Sequence, residues 1–217
     1  MPSKFLLSFA AVAVSFLTAC SAPLPSGADL DKLTKDIVAR SFHAEGQAQL
    51  DRVNPDEDNF LCAQADQSGK EIDEKLAAAI EARNMQTIKF PADGKFLGDY
   101  KEGEKIAQSG TGKTWTDKAD AANGGNCYNC HQISKEELSY GTLGPSLYNY
   151  GKMRGVTNPA SPESKPIVEY TWGKINNPRA YNACSSMPRF GHKGVLTEMQ
   201  IKHLMALLLD PASPINK

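Results

Sequence analysis

The feature that most constrains this chain is the run Cys127-Tyr128-Asn129-Cys130-His131. It has the form C-x-x-C-H, the attachment signature of c-type haem. Two thiols at this spacing reach the two vinyl groups on adjacent edges of one porphyrin, and the next residue brings an imidazole to the iron. A CxxC pair can also be a redox disulfide, but that reading wants a βαβ context that this sequence lacks. It can be half of a zinc site, yet no second CxxC or H-x(3–5)-H follows. A haem filling the core also accounts for the irregular chain expected over much of Gly110 to Tyr150, which would otherwise argue against a compact domain.

The N-terminus reads as an export signal. Lys4 gives a short positive region, and Phe5 to Leu17 is a largely apolar run, too short to span a bilayer comfortably. It ends Leu17-Thr18-Ala19-Cys20, with small residues where a signal peptidase cuts. The same order looks like a bacterial lipobox, in which Cys20 becomes the lipidated first residue. Residues 1–20 are therefore expected to be a signal peptide and the mature protein to be periplasmic, either free or held by an acyl anchor at Cys20. With 24 basic and 25 acidic residues the formal net charge is -1, and no basic block appears, which argues against a nucleic-acid partner.

Residues 21–97 read as a linker and a helical extension, and 98–217 as the haem domain. Leu30, Leu33, Ile37 and Val38 repeat at helical spacing, as do Ile72, Leu76, Ile80 and Met85, with Asn54-Pro55-Asp56 breaking the chain between them. A short helix is expected around Gly103 to Ala107. Near the C-terminus Thr197-x-x-Gln200 forms a capping box, Ile201, Leu204, Met205 and Leu208 make one apolar stripe, and Pro211 stops the helix.

His131 supplies one axial ligand, and the other must come from elsewhere. Candidates are His43, His192 and His203, and Met85, Met153, Met187, Met199 and Met205. Met199 and Met205 lie on the last helix, where packing is the expected role, and Met153 sits between Lys152 and Arg154, at the surface. Met187 stands in Ser185-Ser186-Met187-Pro188-Arg189-Phe190-Gly191, a non-helical loop closed by Pro and Gly, which lets the chain cross a haem face. A thioether there would raise the reduction potential relative to two imidazoles. In class I cytochromes a Gly-Pro following the haem cysteines offers its Pro carbonyl to the proximal imidazole, and Gly144-Pro145 is placed for that role. Lys152, Arg154 and Arg189 either balance haem propionates, face an acidic partner, or form ordinary solvated surface. Of the remaining cysteines, Cys62 and Cys184 are expected to pair, as leftover exported cysteines usually do. The alternative makes Cys184 a reactive thiol or an iron ligand.

Four stretches together resemble the SoxX cytochromes, the small subunits of the SoxAX complexes of bacterial thiosulfate oxidation. They are Gly124 to Gln132, Tyr140 to Leu147, Met187-Pro188-Arg189-Phe190-Gly191, and Leu208 to Asn216. The resemblance extends from about Ala48 to the C-terminus. It implies an all-α class I cytochrome c fold with a helical N-terminal extension, and one covalently attached haem c ligated by His131 and Met187. It further implies a SoxA-type haem subunit as partner, a SoxYZ-type carrier protein, and a downstream cytochrome as electron acceptor. Together these would form an L-cysteine S-thiosulfotransferase that joins thiosulfate to a carrier cysteine. In such a complex this chain relays electrons and contributes no catalytic residue of its own. The competing expectation is a free-standing periplasmic electron shuttle with no sulfur chemistry.

Overall fold

A computed structural model describes residues 26–217, so the signal sequence and Cys20 lie outside the described residues. The chain divides into two compact units, Met1–His43 and Ala44–Lys217. Of the first, the structure describes one helix, α1 (Gly27–Ser41). Ser26 and Asp29 form a reciprocal capping box at its start. Leu30, Leu33 and Ile37 stay exposed along it.

Among the described residues the second unit contains helices and loops but no strand; its nearest approach to sheet is an isolated bridge between Glu45 and Ala48. Its helices are α2 (Glu57–Gln67), α3 (Glu74–Met85), α4 (Tyr100–Gln108), the single turn α5 (Tyr150–Met153), α6 (Lys165–Asn176) and α7 (Glu198–Leu209). Residues 44–97 belong to this same unit and include α2 and α3.

Caps explain most of the boundaries. Asp56, Asp73 and Asp99 each accept backbone N–H groups at the starts of α2, α3 and α4. Thr197 and Gln200 close the capping box on α7. The apolar stripe read from the sequence, Ile201, Leu204, Met205 and Leu208, is buried, and Leu207 and Leu209 outside that stripe are enclosed as well. Beyond Pro211 the tail folds back. Asn216 donates to the carbonyls of Leu208 and Asp210 at 3.1 and 3.0 Å, satisfying acceptors the helix end leaves open. Its side-chain oxygen accepts from Gly151 N–H at 3.0 Å, joining α5 to the end of α7.

Trp172 on α6 is 1% exposed and donates its indole N–H to the Lys89 carbonyl at 2.8 Å. Phe96 meets its ring edge-on, with centroids 5.5 Å apart. The segment Ile88 to Phe96 is thus tied across the core. Helices α4 and α7 approach closely, and Gly103 is what allows it. A Cβ built there would lie 2.2 Å from the His203 carbonyl oxygen and 3.0 Å from Leu207 Cβ. The backbone oxygen cannot swing aside as a side chain would. We therefore expect Gly103→Ala to force the helices apart and cost about 1–3 kcal/mol, the usual penalty for overpacking. Equilibrium urea unfolding of the two proteins reads it directly.

Candidate haem site

The C-x-x-C-H motif forms a tight turn. Asn126 adopts a left-handed conformation (φ 49°), and a 3-10 turn over Cys127–Asn129 follows. The Cys127 carbonyl accepts from both Cys130 N–H and His131 N–H, at 3.1 and 2.9 Å. Tyr128 points inward, is 4% exposed and donates its hydroxyl to Glu104 on α4 at 2.8 Å. The odd residue of the motif is thereby an anchor, while Cys127 and Cys130 remain half-buried free thiols. Burial, reinforced by Cys130 and Glu104, pushes the Cys127 thiol up to about 12. A redox dithiol needs the opposite shift, toward thiolate.

His131 Nδ1 lies 2.7 Å from the Pro145 carbonyl oxygen, with the N–H donating. This fixes the tautomer and leaves Nε2 as the free lone pair, the state a metal-bound imidazole requires. Gly144 makes the contact possible. A Cβ there would fall 2.1 Å from His131 Cε1, inside the ring's own volume. Its N–H donates to the Cys130 carbonyl at 2.8 Å, closing the loop onto the motif.

Met187 is half-buried in a non-helical loop and packs on the core cluster that also receives Cys127 and Leu147. The loop is held from outside by the segment 56–62. Cys62 on α2 and Cys184 form a disulfide across 122 residues. Asp56 ion-pairs with Arg189, with Lys193 at 3.3 Å and with Arg179 at 3.4 Å. Asp58 holds Arg83 and accepts from Asn84 at 2.8 Å, and Asn84 in turn accepts from Asn177 at 2.8 Å. A cavity of about 680 Å³ opens beside Met187, walled by α2 and residues 184–189. Cys127, Cys130 and His131 do not line it.

The other candidate ligands have different occupations. His203 accepts the Asp99 N–H on Nδ1 at 2.8 Å, which ties the start of α4 to α7. Met205 is buried in the core, as its stripe implies, whereas Met199 is 56% and Met153 80% exposed. Arg189 is bound to Asp56 and Arg154 lies over the rings of Tyr150 and Tyr170. Arg189 is therefore not plain solvated surface, whereas Arg154 stays exposed. The carboxylate brace at Asp56 and Asp58 is the element that sequence reasoning missed. Its one signal was Asp56 after a proline, which read as a chain break rather than a helix cap.

These residues fit a covalently held haem in the chemistry of their donors: two unpaired thiols, an imidazole of fixed tautomer, and a thioether on a braced loop. Among the described residues no group of three or more His, Cys, Asp or Glu side chains is gathered to hold a metal ion. A haem iron asks only one or two ligands of the chain.

Comparison with known proteins adds one relative. A protein of Aquifex aeolicus (strain VF5) described as an uncharacterized lipoprotein is 39% identical over 132 residues, or 60% of this chain. The match spans 59% of that protein's length. No family model matches the chain.

The Asp56 brace has a pH signature. Burial acts to raise its carboxyl, but hydrogen bonds from Arg189 and the Asn59 N–H outweigh it and hold the group well below the usual carboxylate range. A depressed carboxylate contributes stability above its unfolded-state value and loses it as pH falls toward the folded one. Asp56→Asn should therefore destabilise the protein at neutral pH, by about 2 kcal/mol once solvent exposure of the pair is discounted. The gap to wild type should narrow steadily below about pH 4. Thermal unfolding of both proteins across that range checks it.

Proposed function

We propose that this chain is a c-type cytochrome with one haem, acting as the electron-relay subunit of a SoxAX-type L-cysteine S-thiosulfotransferase. The observation that carries the reading is the His131–Pro145 hydrogen bond directly after a free CxxC pair. It gives the imidazole the tautomer and the added basicity of a metal ligand. On this reading Cys127 and Cys130 would hold the haem through thioethers, and His131 and Met187 would supply its iron ligands. The helical frame, with α4 leading toward the CxxCH turn and α7 packed on it, supports assignment to the class I cytochrome c fold.

When bound, the haem supplies one-electron chemistry. The chain's own residues fix what that chemistry can be used for. With His131 and Met187 both given to the iron, this chain would offer substrate no open ligand position. Bond-making then falls to a SoxA-type partner. A carrier cysteine thiol and thiosulfate would combine to a cysteine S-thiosulfonate, releasing two electrons and one proton, and this chain would pass the electrons to a periplasmic acceptor cytochrome. The relative described as a lipoprotein supports export and an acyl anchor at Cys20.

Two measurements test the reading in order. Expressed in a host that matures c-type cytochromes, the protein should carry one haem that survives denaturing electrophoresis. Replacing Cys127 and Cys130 together should abolish that attachment, while Met187→Ala should keep it and shift the reduction potential. Free haem lost on denaturation of the wild-type protein would overturn the cytochrome assignment. The second measurement supplies thiosulfate and a carrier with a free cysteine to the protein and its co-purifying haem partner. Mass spectrometry should show a thiosulfate adduct that requires both subunits. A haem-loaded chain that purifies alone and forms no adduct with any co-expressed partner would instead be a free-standing electron shuttle.

A further inference from the structure

The cavity beside Met187 exposes a group that electron relay does not use. Both sulfurs of the disulfide belong to residues on its wall, and both residues are only half-buried. Arg179, Arg189 and Lys193 stand on the same wall, against the single carboxylate of Asp66. Asp56 serves all three cations but is not itself part of the wall. Arg189 engages only one guanidinium nitrogen in that pairing, and Lys193 keeps half of its side chain exposed. Arg179 also has Asp58 at 3.8 Å, so what the wall has to spare is the free donor capacity of Arg189 and the exposed ammonium of Lys193.

Cationic surroundings suit one reaction of a disulfide in particular. In thiol–disulfide exchange both the attacking and the leaving group are thiolates, so neighbouring positive charge draws the nucleophile in and stabilises the departing sulfur. We propose that Cys62–Cys184 is a thiol-exchange site for small anionic thiols that enter through this cavity, and that its opening frees the Met187 loop. A thiolate attacks one sulfur, forming a mixed disulfide as the Cys62–Cys184 bond breaks. The other cysteine departs as a thiolate and takes a proton from water. A second thiolate attacks the mixed disulfide, releasing the oxidised small-molecule disulfide and the remaining cysteine. The protein disulfide gains two electrons and the two thiols lose them.

The consequence lies three positions further along the chain. Cys184 is the covalent stay of the loop that carries Met187, and once it is cut the loop is left to non-covalent ties to residues 56–85, among them the Asp56 ion pairs and the Glu81 carboxylate, which accepts the Ala183 N–H at 3.1 Å. This coupling rests on the haem reading, whereas the exchange itself does not.

The test uses the full mature protein with its cofactor at low ionic strength. It is treated with 2-mercaptoethanesulfonate or with neutral 2-mercaptoethanol at equal thiolate concentration. Newly freed Cys62 and Cys184 are alkylated and counted by peptide mass spectrometry, while the absorption spectrum is followed for loss of thioether ligation. The anionic thiol should react roughly tenfold faster. That advantage should shrink as salt is added. Lys193→Gln should cut it several-fold with at most a small fall in melting temperature, since a half-exposed ion pair adds little stability. Alkylation that appears only in denaturant, or equal rates for the two thiols, would overturn the exchange site. Both cysteines alkylated with an unchanged spectrum would overturn the coupling to Met187. A protein lacking covalent haem before any thiol is added would be a failure of the functional reading instead, and would leave the alkylation result to stand by itself.

Discussion

Asp56 is where the candidate site is held together. One carboxylate at the start of α2 caps that helix through Asn59 N–H and meets three cations from the far end of the chain. Arg179 and Arg189 are themselves poorly exposed, at 8% and 11% of their side-chain surface. Charges in such positions destabilise a fold unless a counter-charge sits beside them, so the loop can settle only when α2 is in place. The disulfide repeats the constraint covalently. In a chain-entropy account, closing a loop of this length restricts the unfolded chain by about 4–5 kcal/mol, with native strain subtracting from that figure.

The two halves of the proposed haem-ligand set are held by different means. His131, Gly144 and Pro145 lie within fifteen residues of one another and are connected by backbone contacts. Met187 depends instead on partners more than a hundred residues away in sequence. The His131 side is thus local and rigid, and the Met187 side is a loop suspended between an ion pair and a covalent bond. In the proposed electron relay this division would keep the imidazole fixed and confine adjustment to the thioether.

How much of this could be read from sequence follows the same split. The Thr197 capping box and the stripe from Ile201 to Leu208 predict α7 because both signals are local and periodic. The Cys127–His131 motif and Gly144-Pro145 are legible for the same reason, since their chemistry lies within a few residues. Helix α2 is not, because Glu57–Gln67 lacks an apolar period and is held largely by its cap, the disulfide and the ion pairs. Helix α6 escapes too: it is buried on most sides around Trp172, and no side-chain cap marks its start as Thr197 marks that of α7. The roles of Arg179 and Arg189 are invisible in sequence, because a cation's partner 120 or more residues away leaves no periodic trace.

The back-folded tail makes one side chain answer for two elements. Asn216 satisfies the terminal carbonyls of α7 and fastens α5 to them. Acceptors of one helix and a donor of another are thus closed by a single amide, so losing that amide would open both helix ends together rather than one after the other.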